Sequence, residues 1–162
     1  MNTEIIERLP GLMDFTQEQV EILRPHLEEV HFQAGEKIFN QGDPATYLYF
    51  VAEGEVSILF NPEDGPVITV AAVGTGDIFG WSSTLGSQLY TSGAVCTEAG
   101  SFLRLEGECL RGICQNNPET GILILNKLAA VIAQRLRGTH EQVVKLLHQG
   151  INHRHPTGEN HE

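Results

Sequence analysis

The sequence predicts a mainly β domain, a sandwich or barrel, with short helices before it and one long helix after it. Two patterns carry this prediction. Across residues 29–106, Gly35, Gly42, Gly54, Gly65, Gly76, Gly86, Gly93 and Gly100 recur every seven to twelve residues, the turn spacing of all-β folds. From Pro118 onward the apolar period becomes helical. With 162 residues the chain suits one compact core, and a domain of that size buries roughly 70% of its unfolded surface without disulfides or metal. The expected domain spans 1–149, with the barrel at about 29–106, the long helix at about 118–149 and a disordered tail at 150–162.

Residues 1–28 read as short helices. Thr16 and Gln19 have capping-box spacing, and Val20, Leu23 and Leu27 follow at helical intervals, with Pro25 inside that stretch to end or break the helix. β-prone runs come next: Lys37-Ile38-Phe39, Tyr47 to Val51, Val56 to Phe60 and Val67 to Ala71. Between the last two, Asn61-Pro62-Glu63-Asp64-Gly65 is a hairpin loop in which proline sets φ and glycine accepts positive φ. In the long helix Ile122, Ala129, Leu136 and Val143 lie seven apart, and Leu125, Ile132, Thr139 and Leu146 follow each by three. That makes a heptad seam with one polar member, Thr139. Ile124, Leu128 and Val131 form a second apolar strip, so one face packs on the barrel and the other on a twin helix in a homodimer. A helix that serves only the core is the alternative. Gly138 weakens this helix by roughly 1 kcal/mol relative to alanine, marking a hinge or a close contact.

Charge narrows the partners. Acids outnumber bases 21 to 10, for a net charge of −11, which argues against DNA held through its phosphates. No Lys or Arg lies between Lys37 and Arg104. An anion bound in that stretch must be held by backbone N–H groups or hydroxyls. No apolar run approaches the ~20 residues of a membrane span, and Met1 to Leu9 shows no signal-peptide core. Three cysteines without metal-type spacing fit a reducing cytoplasm.

Three linked motifs, Phe32-x-x-Gly35-Glu36-x-Ile38-Phe39-x-Gln41-Gly42-Asp43, Tyr47-x-Tyr49-Phe50-Val51-x-x-Gly54-x-Val56 and Gly76-Asp77-x-Phe79-Gly80, closely resemble the cyclic-nucleotide-binding domain family, over about residues 15–148. The resemblance implies a jelly-roll (double-stranded β-helix) barrel, a phosphate-binding cassette after Phe79-Gly80, and a long C-terminal helix that closes over ligand and pairs with a second subunit. In the family the cassette carries a Glu for the ribose hydroxyl and, ten residues later, an Arg for the cyclic phosphate. Here those positions are Trp81 and Thr91, while Ser92 matches a small hydroxyl residue common there. Around Ala133-Gln134-Arg135-Leu136 the helix resembles catabolite-activator-type members, which places Thr139 and His140 where base-contacting hydroxyls lie in those relatives.

A cyclic nucleotide brings one negative charge into a largely apolar pocket. A buried charge without its partner costs roughly 3–5 kcal/mol, or about two to three powers of ten in affinity. Arg104 lies on a later strand and cannot be placed at the cassette from sequence. Trp81 takes up volume meant for the sugar, so tight cyclic AMP binding is not expected. Phe79, Gly80, Trp81, Ser82, Ser83, Thr84, Ser87, Thr91 and Ser92 still offer an aromatic platform amid hydroxyls, suited to another nucleotide or small ligand. The alternative is that the hydroxyls cap a short helix and Trp81 plugs the barrel mouth.

Other sites carry less. His153-Arg154-His155 sits among Asn, Gly and Pro without a rigid shell, and no metal site is expected. Cys109 and Cys114 lie in a short helix before Pro118 and lack zinc spacing. A cupin-type metal enzyme would need clustered ligands on strands, yet only His31 lies between residues 27 and 139. No nucleophile–base pair is visible, so no enzyme activity is expected. The thirteen residues from Gly150 cannot build a helix-turn-helix. The reading is a stand-alone, cytoplasmic, homodimeric sensor that signals through Gly138, Thr139 and His140 to a protein effector, with no DNA or membrane partner. A degenerate, ligand-free dimeric scaffold is the alternative.

Overall fold

A computed structural model describes residues 3–9, 12, 14–84, 86 and 88–153. Two short helices open the chain, α1 (Thr3–Arg8) and α2 (Gln17–Leu23), followed by strands β1 (Leu27–Phe32), β2 (Lys37–Phe39), β3 (Tyr47–Phe60), β4 (Ile68–Val73), β5 (Ile78–Phe79) and β6 (Gly93–Glu106), then α3 (Gly107–Asn116) and α4 (Pro118–His153). All strand pairs are antiparallel, in the order β1-β6-β3-β4, with β2 on β6 and β5 on β3. The 14-residue strands β3 and β6 pair along their length. Their ribbon rolls up with short strands on both flanks, the jelly-roll arrangement expected.

The capping box forms as the sequence predicts: Thr16 N–H donates to Gln19 Oε1 at 2.9 Å and Gln19 N–H to Thr16 Oγ1 at 3.2 Å. Pro25 converts the end of α2 into a 3-10 turn, Arg24–His26. Leu27 is therefore not helical but opens β1, where it pairs with Leu105. The runs 47–51 and 56–60 are one strand, because irregular register between Val51 and Val56 lets β3 bend around Gly54 without ending. Gln41 brackets the hairpin loop, accepting from Asn61 N–H at 2.8 Å and donating to Asn61 O at 3.2 Å.

Alternation along the strands makes two cores. Leu48, Phe50, Ile78, Leu103 and Leu105 face the helices and meet Ile6, Leu9, Leu23, Leu110, Ile113, Ile124 and Leu128. Tyr49, Val51, Phe79 and Phe102 face the other way and, with Phe39, Tyr90 and Cys96, fill the barrel.

The chain forms two compact units, residues 1–128 and 129–162, and α4 contributes to both. In the first, Ile124 and Leu128 are fully buried, as the second apolar strip predicts, while Ile122 and Leu125 are exposed. In the second, Leu136, Val143, Leu146 and Leu147 are exposed. The helix runs four residues past the expected 149: Gly150 lowers its stability but leaves every backbone N–H in place, and the first proline after it is Pro156. The rest of the expected tail, with His155 and His161, lies outside the described residues.

Candidate functional site

The cassette starts where β5 ends. Phe79 is fully buried and stacks on Tyr49, its register partner, with centroids 4.9 Å apart and planes 7° apart. Gly80 then turns the chain at φ +78°, a left-handed conformation that disfavours side chains. A Cβ there would also sit 3.0 Å from Tyr47 O and 3.2 Å from the Tyr49 ring. The turn launches a 3-10 segment, Trp81–Ser83.

That turn decides where Trp81 goes. Its indole is half-buried against the helix-side core, not among the rings that fill the barrel. Trp81 therefore packs toward the helices and does not fill the barrel interior. The barrel interior is closed by other aromatics: Phe39 stacks on Tyr90 at 3.6 Å, Tyr49 on Phe79, and Phe79 meets Phe102 edge-on at 6.2 Å.

The hydroxyls are partly consumed. Ser83 Oγ donates to Gly80 O at 3.0 Å and Thr84 Oγ1 to Trp81 O at 2.7 Å, so both cap the turn. Ser82 is buried and its Oγ lies 3.5 Å from Thr91 Oγ1, spanning the two ends of the cassette. Thr91 is exposed and Ser92 half-buried. The structure thus brings together Phe79, Gly80, Trp81, Ser82, Ser83, Thr91 and Ser92. Ser87 and the Thr139 side chain lie outside the described residues, and His140 is exposed on α4 in the second unit.

Tyr47 and Tyr90 hold the cassette in place, a role the sequence reading missed. The Tyr90 hydroxyl accepts from Tyr47 N–H at 3.0 Å and donates to Tyr47 O at 2.7 Å. Burial pushes its ionisation up to about 12, against the lowering by the hydrogen bond its oxygen accepts from the Tyr47 backbone N–H. The Tyr90 backbone is also tied to the Gly42-Asp43 turn, with Gly42 N–H donating to Tyr90 O and Tyr90 N–H to Asp43 O, both at 2.9 Å. The Gln41-Gly42-Asp43 motif is therefore the clasp on the cassette's far end.

Two cations reach the neighbourhood from outside it. Arg104 shares a cross-strand row with Tyr49 and Glu28. Its Nε donates to Glu28 Oε2 at 2.7 Å, and its guanidinium lies 4.1 Å from the Tyr47 ring centroid. The hydrogen bond holds Glu28 below the usual carboxylate range and raises Arg104 further. Arg104 is thus an occupied cation beside Tyr47 and Tyr49. Arg111, on α3, points a guanidinium nitrogen at Ser83 O at 3.5 Å and pairs with Glu108 at 2.8 Å. One turn earlier, a Cβ at Gly107 would overlap the same Ser83 carbonyl oxygen and lie 3.0 Å from its carbon. Gly107 and Arg111 are spaced i,i+4 on one helix face, the one sequence signal that could have paired them.

Neither Cys96 nor Cys109 is poised as a thiolate. Burial raises Cys96 and Cys109, and nearby carboxylates add to both shifts. Among the described residues no cluster of His, Cys, Asp or Glu could hold a metal, and no helix is long and apolar enough to cross a membrane.

Comparison with known proteins converges on one family. The sequence profile described as "Cyclic nucleotide-binding domain" matches residues 29–117. The cyclic AMP receptor protein of Thermus thermophilus is 32% identical over 120 residues, covering 74% of this chain and 54% of its own length. The chain thus spans about half of that curated relative. A putative cyclic nucleotide-binding protein from Geobacter metallireducens has a similar structure, with 31% identity, TM-score 0.70 and coverage of 84% of this chain and 98% of its own. A cyclic nucleotide-binding domain from Methylobacillus flagellatus shares the fold at TM-score 0.75 and 24% identity, covering 88% and 80%.

Proposed function

The chain belongs to the cyclic nucleotide-binding domain family, and from that premise we propose that it is a non-enzymatic, cytoplasmic sensor whose cassette takes a small ligand other than a tightly held cyclic mononucleotide. The regulatory, ligand-sensing role comes with the family. The departure in ligand is carried by one observation: the cassette from Gly80 to Ser92 contains no cationic side chain. The two nearby arginines already hold Glu28 and Glu108, and of these only Arg111 touches a cassette atom, a carbonyl. A lone phosphodiester would enter this site without a free counter-charge, at roughly two to three powers of ten in affinity.

Occupancy of the cassette passes to α3 through Ser83, against which both Gly107 and Arg111 rest. A ligand biases this element only by its differential affinity for two placements. Output to a protein effector uses a homodimer formed through α4. The exposure of Ile122, Leu125, Leu136, Val143 and Leu146, all on the heptad seam, supports a twin helix there.

The second reading, a ligand-free dimeric scaffold, is favoured by the Ser83 and Thr84 hydroxyls spent on capping and by the aromatic filling of the barrel. A thermal-shift panel of cyclic mononucleotides, cyclic dinucleotides and small organic anions separates the two. A ligand at a hundred times its dissociation constant stabilises the fold by about 2.7 kcal/mol. Silence from every compound selects the scaffold.

A further inference from the structure

Building on the reading of the cassette as a small-ligand site, we propose that its ligand is an uncharged, planar apolar molecule with one hydrogen-bonding oxygen. The body of that molecule lies on a ledge formed by Phe60 and Ile68, and its oxygen meets Ser92.

Cross-strand rows build the ledge. On the barrel-facing side Cys96, Val56 and Val73 form one row, and Ala94, Ile58 and Ala71 form the next. All six belong to the barrel core or pack against it. Phe60 follows Ile58 by two residues and so faces the same way, and Ile68 is its partner on β4. Continuing the register one position beyond Leu59 and Gly93 sets Ser92 level with Phe60. The third row is therefore Ser92, Phe60 and Ile68, and here burial stops: Phe60 is 39% exposed, Ile68 49%, and Ser92 is half-buried.

Ile68 reaches this row through a bulge. It lies three residues from Ala71, an odd separation that in a regular strand would turn it to the outer face. The pairing skips Val70, because Ala71 faces Ile58 and Thr69 faces Leu59, and the extra residue returns Ile68 to the barrel side. The exposed apolar row thus runs straight on from the cassette's far end, Thr91-Ser92. That continuity assigns its cover to whatever the cassette holds.

Charge selects an uncharged occupant. The row carries no charged side chain, the loop after Phe60 adds Glu63 and Asp64, and no Lys or Arg lies between Lys37 and Arg104. An anion would leave water for a site with carboxylates at its rim and no counter-charge. A cation would leave water for a row without a carboxylate. A flat ring gains by stacking on Phe60, and a neutral oxygen suits the Ser92 hydroxyl, which both donates and accepts.

The test titrates the full chain at neutral pH with 2-naphthol, and separately with 2-naphthoate, following the Phe60, Ile68 and Ser92 backbone amides by NMR. We expect saturable shifts with naphthol, and naphthoate weaker by roughly tenfold or more. Phe60→Ala should weaken naphthol by about tenfold and Ser92→Ala by about three- to tenfold. Both variants are checked for the parent circular dichroism spectrum; neither side chain belongs to a buried core. The proposal is overturned if naphthol gives no saturable shift up to its solubility, if naphthoate binds as well, or if either folded variant binds naphthol like the parent. It is also overturned if simple dilution of the chain moves the Phe60 and Ile68 amides, since a second copy then covers the ledge. A cyclic dinucleotide or organic anion that stabilises the chain while naphthol does not would sink this ligand class and leave the sensor reading standing. Silence from naphthol and from the whole thermal-shift panel would defeat both.

Discussion

Replacing Gly107 with alanine tests the contact between α3 and the cassette, and its sign is decisive. Helix propensity alone makes Gly→Ala favourable by up to ~1 kcal/mol. At Gly107 the new methyl would overlap Ser83 O and sit 3.0 Å from Ser83 C and 3.4 Å from its Cβ. The first two obstacles are main chain, held in place because the Gly107 N–H also donates to Thr46 O at 3.0 Å. Such overpacking costs roughly 1–3 kcal/mol, which exceeds the propensity gain, so Gly107→Ala should lose about 1–2 kcal/mol net. Gly112, on the same helix, is the control: a Cβ there meets nothing within 4 Å, so Gly112→Ala should gain up to ~1 kcal/mol. Urea unfolding at constant m-value reads both changes. Amide shifts at Gly80–Thr84 should accompany the first substitution and not the second. If Gly107→Ala is as stable as the parent, α3 does not bear on the cassette as described, and the proposed route from ligand to helix fails.

Other perturbations have equally definite outcomes. Trp81→Glu combined with Thr91→Arg restores the family's pair and should raise cyclic AMP affinity by about two powers of ten. A folded double variant that still ignores the nucleotide in calorimetry contradicts the electrostatic account. Leu136→Asp places a charge on the exposed seam of α4 and should give monomers; an unchanged sedimentation profile removes the homodimer from the proposal. Tyr90 has a folded-state pKa raised to about 12 by burial, so its contribution to stability is complete below about pH 10 and fades as pH rises toward 12. Tyr90→Phe should flatten that alkaline slope in pH-dependent unfolding, and an unaltered slope would assign it to another group.

Much of the fold is legible in the sequence, for local reasons. The capping box at Thr16 and Gln19, the strand Lys37–Phe39 and the turn at 61–65 each depend on neighbours within a few residues. The long helix is equally plain because its apolar period persists over several turns. β6 is much less visible: Gly93, Gly100 and the charged Glu98 dilute its β signature, and it is specified by the two strands that flank it. β1 is masked in the same way by Glu28 and Glu29.

The site divides along the same line. Phe79 at the end of β5 and Gly80 in the turn after it lie where the Gly76-Asp77-x-Phe79-Gly80 motif leads one to expect them. The motif does not give the direction of Trp81, because the left-handed turn at Gly80 and the helices behind it together send the indole to the outer core. Arg111 meets Ser83 across 28 residues, and Tyr90 meets Tyr47 across 43. Neither contact has a local signature, yet both fix the cassette's position.

The charge-poor cassette is tested most directly by calorimetric titration of cyclic AMP into the unaltered chain. The expected result is no saturable heat at submicromolar nucleotide, with any association in the range of tens of micromolar or weaker. A submicromolar dissociation constant would mean that the site supplies a counter-charge after all, and would contradict the account of the ligand given above.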